Sequence, residues 1–102
     1  MLQVRRTAEF IEWLTNLRDV AARARIAKRI DRVAAGNFGD TKPVGAGVSE
    51  LRFTFGPGYR VYYTRRGDVV VILLCGGDKG SQGKDIERAK AMAQDIAAQE
   101  IE

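Results

Sequence analysis

VSELRFTFGPGYRVYYTRRGDVVVILLCGG, residues 48–77, decides the fold. Three runs rich in β-branched and aromatic residues are separated by Gly56-Pro57-Gly58 and by Arg66-Gly67, punctuation at which an antiparallel chain turns back. Strands are expected at about 48–55, 59–65 and 68–76, forming a meander. In the first, Leu51, Phe53 and Phe55 alternate with Glu50, Arg52 and Thr54; in the second, Tyr59, Val61 and Tyr63 alternate with Arg60, Tyr62 and Thr64. Successive strand side chains point to opposite faces, so each of these strands should have one apolar and one polar face. The run from Val69 to Cys75 is apolar throughout, the pattern of a central strand covered on both sides.

Outward from the meander, the flanking segments supply the cover. Leu2 to Arg5 reads as a short strand, and Thr7 as the N-cap of a helix carrying Phe10, Ile11, Leu14 and Leu17 at helical spacing. Asp19 caps a second helix, whose stripe of Ala22, Ile26, Ile30 and Val33 runs until Gly36 ends it. Its other faces carry Arg23, Arg25, Lys28, Arg29 and Arg32, read first as a solvated face and second as an RNA-binding ridge. Asn37 to Gly47, Gly-rich and containing Pro43 and Lys42, reads as a loop of functional length. After the meander, Ile86, Ala89, Ala93, Ile96 and Ala97 form the stripe of a last helix, with Ser81 as its possible cap. The order β-α-α-β-β-β-α predicts an α+β domain on an antiparallel sheet, one domain over residues 1–102.

Composition narrows the chemistry. No apolar run approaches the roughly 20 residues that cross a bilayer, and the N-terminus lacks a signal-peptide core, so a soluble, cytoplasmic protein with no membrane partner is expected. Seventeen Lys and Arg against thirteen Asp and Glu give a net charge of +4, which favours polyanionic partners. The absence of histidine removes the commonest general base and metal ligand, and the Gly runs match no nucleotide fingerprint. Neither a metal, a cofactor nor a small-molecule substrate is expected. Cys75, the lone cysteine, lies in the apolar run and reads as a core residue.

What remains is a cationic constellation. If the first hairpin pairs in register, Arg52, Arg60 and Tyr62 line one surface. Gly76-Gly77-Asp78-Lys79-Gly80-Ser81-Gln82 places Asp78, Lys79 and Gln82 at a strand end beside a helix N-terminus, where a phosphate can bind. The plainer reading is that the glycines make the turn and that Asp78 or Ser81 caps the helix. Tyr59, Tyr63 and Trp13 are expected in the core.

The wording of the second half, Val48-Ser49-Glu50-Leu51-Arg52, Gly56-Pro57-Gly58-Tyr59-Arg60-Val61-Tyr62-Tyr63 and Cys75-Gly76-Gly77-Asp78-Lys79, with Asp85-Ile86 opening the last helix, resembles the addiction-module killer proteins. These are a HigB-like, phage Gp49-like branch of the RelE/ParE toxin superfamily. The resemblance implies the RelE/ParE-like fold and a partner antitoxin. It also implies either mRNA cleavage on the ribosome or, as in ParE-like relatives, inhibition of DNA gyrase; a third alternative is an inactive member that only binds antitoxin. For cleavage, Arg52 and Arg60 would clamp phosphate, Lys79 would add charge or move a proton, and Tyr62 would stack on a base or donate its phenolic proton. Lys42, Asp78 and Gln82 would bind substrate, with Asp78 as the candidate base. Several HigB-like nucleases use histidine around the final strand, whereas this chain has none, so either Lys, Tyr and Asp substitute or the protein is not a nuclease.

Overall fold

The computed structural model describes residues 1–101, with side chains through residue 99. Its apolar stripes close onto the two faces of one sheet. The chain runs β1 (Gln3–Arg6), α1 (Ala8–Thr15), α2 (Val20–Ala34), β2 (Thr41–Gly45), β3 (Val48–Arg52), β4 (Arg60–Arg66), β5 (Val70–Gly77) and α3 (Gln82–Ile101), α3 being entered through a single 3₁₀ turn, Lys79–Ser81. The caps expected at the first two helices form, the Thr7 hydroxyl accepting from Phe10 N at 3.1 Å and Asp19 Oδ1 from Ala22 N at 3.0 Å, whereas Ser81, expected to cap the last helix, lies inside the turn that Asp78 caps. Ala22, Ile26, Ile30 and Val33 are all buried, whereas Ile11 points to solvent.

The sheet order is β1-β5-β4-β3-β2. β5 is an interior strand, between β1 and β4, as its two-sided apolar character required. It pairs with β4 antiparallel but with β1 parallel, so the sheet is mixed and the expected purely antiparallel arrangement is corrected. The other correction is β2, which occupies the expected loop and adds a strand to the order. β2 pairs antiparallel with β3 across Ala46-Gly47, whose φ angles of 53° and 75° are those of a tight two-residue hairpin. Pro43 is tolerated there because β2 is an edge strand.

One face packs on α1 and α2 through Phe10, Ile26, Ile30, Leu51, Val61, Tyr63, Val71 and Leu73. The other packs beneath α3 through Val48, Tyr62, Ile72, Leu74, Cys75, Ala89 and Ala93. A bulge reconciles the two, since Tyr62 pairs with Cys75 and Tyr63 with Leu73, leaving Leu74 as the extra residue. Tyr59 and Tyr63 are core residues, and Trp13 packs half-buried between Phe10 and Tyr59. The helix over the second face also buries what alternation had assigned to a polar surface: Glu50 is 2% exposed, Tyr62 0% and Thr64 8%. No helix among the described residues is long and apolar enough to cross a membrane.

Candidate functional site

Register brings the first two cations together. Arg52 and Arg60 are direct partners on β3 and β4, and Glu50 and Tyr62 are the next partners on the same face. Beyond this pair the chain turns through Gly56-Pro57-Gly58, closed by Phe53 N donating to Tyr59 O at 3.1 Å and Gly58 N to Phe55 O at 3.2 Å. Lys79 N donates to Pro57 O at 3.4 Å, which docks the start of the last helix onto that turn. A Cβ at Gly58, where φ is +76°, would lie 3.3 Å from Lys79 Cβ and 3.5 Å from Arg60 Nη1. Glycine therefore allows both the turn and the close approach. The result is an open groove lined by Arg52, Arg60, Lys79, Asp40, Thr54 and the Gly-Pro-Gly turn.

Each cation is held differently. Arg52 donates through Nη2 and Nε to Asp40 Oδ1 at 2.9 and 3.2 Å, with 37% of its side chain exposed. Arg60, 13% exposed, spends Nη1 on the carbonyls of Gly58 and Tyr59 at 3.0 and 3.1 Å and turns Nε toward Glu50 Oε2 at 3.7 Å. Lys79 is exposed. Asp40 is placed by its backbone, since its carbonyl accepts from Arg52 N at 2.9 Å and from Arg29 Nη2 at 2.8 Å. Arg29 also donates to Phe38 O and Arg52 O, with its guanidinium 4.9 Å from the centre of the Phe53 ring. It staples the 38–40 segment to β3. Burial lowers its pKa, although a guanidinium remains charged at any physiological pH.

The other expected residues lie elsewhere, each for a physical reason. Asp78 is the helix cap, as the plainer reading had it: its Oδ1 accepts from Gly80 N and Ser81 N at 2.8 and 3.2 Å, and its own N–H donates to Ser81 Oγ. Gln82 points inward, its Nε2 donating to Glu50 Oε2 and Oε1 at 3.0 and 3.3 Å. Tyr62 is buried beneath α3 with its hydroxyl unbonded, so it has no face free for a base. Burial, then the Glu50 and Asp85 carboxylates, push its phenol above the ordinary range. Lys42 is exposed on edge strand β2, opposite Glu50 and outside the groove lining. Among the described residues no group of three His, Cys, Asp or Glu could hold a metal ion.

Two site residues escaped the sequence reading. Asp40 sits in a Gly-rich stretch without periodicity, and Glu50 looked like one more solvent-facing strand residue. The only local signal for Glu50 was its parity with Arg52, Arg60 and Tyr62.

Residues 12–101 match the family model described as "Phage derived protein Gp49-like (DUF891)". A Haemophilus influenzae protein described as "Uncharacterized protein" is 50% identical over 95 residues, covering 93% of this chain and 96% of that protein. The chain therefore belongs to the phage-derived Gp49-like family, which is associated with the toxins of toxin–antitoxin pairs.

Proposed function

We propose that the chain is the toxin of a type II toxin–antitoxin module and cleaves mRNA on the ribosome without a metal ion. The observation that carries this reading is the convergence of Arg52, Arg60 and Lys79 on one open groove. Three cations around a backbone turn suit a phosphodiester that gains charge as it reacts. In the reaction the RNA 2′-oxygen bonds to phosphorus and the bond from phosphorus to the 5′-oxygen breaks, leaving a 2′,3′-cyclic phosphate and a 5′-hydroxyl. Arg60 and Arg52 stabilise the pentavalent phosphorane. Asp40, whose Oδ1 is engaged by Arg52, takes the 2′-hydroxyl proton through Oδ2. The Lys79 ammonium donates a proton to the departing 5′-oxygen. Asp40 thus replaces Asp78 as the base, and Tyr62 and Gln82 support the groove from beneath.

A cognate antitoxin would neutralise the protein by covering this groove with acidic residues. A second reading, ParE-like inhibition of DNA gyrase, is favoured by the burial of Tyr62 and the capping role of Asp78, because inhibition by binding needs no proton transfer.

Inducible expression without antitoxin, with transcript 5′ ends mapped, tests the proposal. Growth arrest with new 5′ ends inside translated messages is expected. Lys79→Ala, at an exposed position, should lower the cleavage rate about 10²-fold while leaving the thermal unfolding midpoint unchanged, and Arg60→Ala should abolish arrest. Arrest without new 5′ ends, accompanied by loss of supercoiling activity in purified gyrase, would establish the second reading. Harmless expression would exclude both.

A further inference from the structure

Glu50 is a carboxylate almost wholly removed from water, in a site where the groove above it needs positive charge. Burying a carboxylate is costly unless it is paired. Its partners come from two directions: the Gln82 amide on α3 at 3.0 and 3.3 Å, and Arg60 Nε on β4 at 3.7 Å. Nε is itself buried without a hydrogen bond. Glu50 is the acceptor facing it, and a shift of about 1 Å would turn the pair into a charge-assisted hydrogen bond. With Nη1 committed to the carbonyls of Gly58 and Tyr59 and Nε facing Glu50, the remaining guanidinium nitrogen is Nη2, which makes no hydrogen bond among the described residues. The pair is built into the fold, since Glu50 lies one pleat from Arg52, the register partner of Arg60.

We infer that Glu50 is a positioning residue for Arg60: its buried carboxylate, steadied by Gln82, fixes the guanidinium so that the free Nη2 edge serves the groove. The consequence for cleavage rests on the proposed function, whereas the Glu50–Arg60 coupling does not. A carboxylate beneath the clamp also explains why a polar network occupies the layer between α3 and the sheet. Simple adhesion of α3 would be served as well by an uncharged pair.

The test uses the full-length chain labelled with ¹⁵N and ¹³C. In the wild type the Arg60 Nε–H signal should be resolved and protected from exchange. In Glu50→Gln, which keeps the shape and the contact with Gln82, that signal should move and its exchange quicken by about tenfold or more. An Arg60 signal unchanged in folded Glu50→Gln overturns the inference. If that variant does not fold, Arg60→Lys probes the contact from the other side. A shift of the Glu50 carboxyl carbon supports the inference, and an unmoved carbon overturns it. In a ribosome-programmed cleavage assay, Glu50→Gln should lower kcat about tenfold with KM within about twofold, because Arg52 and Lys79 still bind the ground state. Wild-type kcat in that variant overturns the positioning role. A wild type that cleaves nothing overturns the mRNA-cleavage reading instead and leaves the Arg60 and Glu50 signals to decide the coupling.

Discussion

The cations of α2 show how little a residue's type reveals of its task. Arg29 lies in the same basic run as Arg25, Lys28 and Arg32, yet it makes four hydrogen bonds to backbone carbonyls and sets the position of Asp40 and β3. Arg25 lies 4.4 Å from the centre of the Phe55 ring, a cation–π contact that covers apolar surface. Cys75 is the complementary case, a nucleophile by type that packing makes inert. Burial, then the Glu9 and Asp85 carboxylates, push its thiol up to about 12. A raised folded value means that the stability tied to the neutral thiol is fully present below the unfolded value of about 8.5 and is lost as pH climbs above it. Cys75 is therefore expected to react with a disulfide reagent at pH 8 only as fast as the protein unfolds. Reaction at the rate of a free thiol would show that the site opens locally.

At the scale of elements, helices and sheet meet through small residues at fixed places. A Cβ at Gly76 would fall 2.3 Å from the Trp13 ring, and one at Gly77 would collide with the Asp85 carboxylate. These glycines let α1 and the start of α3 lie directly against β5. The Asp85 carboxylate in turn accepts a short hydrogen bond from the Ser81 hydroxyl. Gly76→Ala must displace the Trp13 ring and is expected to cost about 1–3 kcal/mol, read as a fall of several degrees in Tm. Gly83→Ala, in α3 with nothing within 4 Å of the added methyl, should raise stability by about 0.5–1 kcal/mol. Equal effects from the two would refute the packing argument. The Thr7 and Asp19 caps and the apolar stripes of α2 and α3 were legible in the sequence because they are local patterns. β2 was not, because Thr41-Lys42-Pro43-Val44-Gly45 has neither alternation nor an Asn-Gly turn, and it becomes a strand by pairing with β3.

Across the whole molecule, the shortness of β1 lets helices from opposite faces meet. β1 pairs with β5 only as far as Leu73, after which Thr7 N donates to Leu73 O, the Thr7 hydroxyl donates to Leu74 O at 2.6 Å, and α1 takes over the edge. There Glu9 of α1 accepts from Arg88 of α3 through Nη2 at 2.6 Å and Nε at 3.1 Å. The hydrogen bond to Arg88 holds the Glu9 carboxyl below its usual range, so the stability it contributes is present above the ordinary carboxylate value and lost as pH falls through the depressed one. Both side chains are more than a third exposed, which keeps the effect small. Glu9→Gln should lower the urea midpoint slightly at pH 7, and the gap should narrow as pH falls below the ordinary carboxylate value of about 4.3 and through the depressed one. A gap that does not narrow as the carboxyl protonates would mean that packing, not charge, is at stake. The sequence by itself determined the three helices, the meander and a strand covered on both faces, because helical and strand periods are properties of neighbouring residues; that Arg52 and Arg60 share a surface held only if the hairpin paired in register, which the structure supplies. Only the tertiary structure decided that Asp40 rather than Asp78 joins the cations, that Tyr62 is withdrawn and that Glu50 is buried beneath Arg60. Those outcomes depend on which helix covers which face of the sheet and on contacts such as Arg29 to Asp40 and Gln82 to Glu50, which join residues far apart in the chain and leave no local pattern.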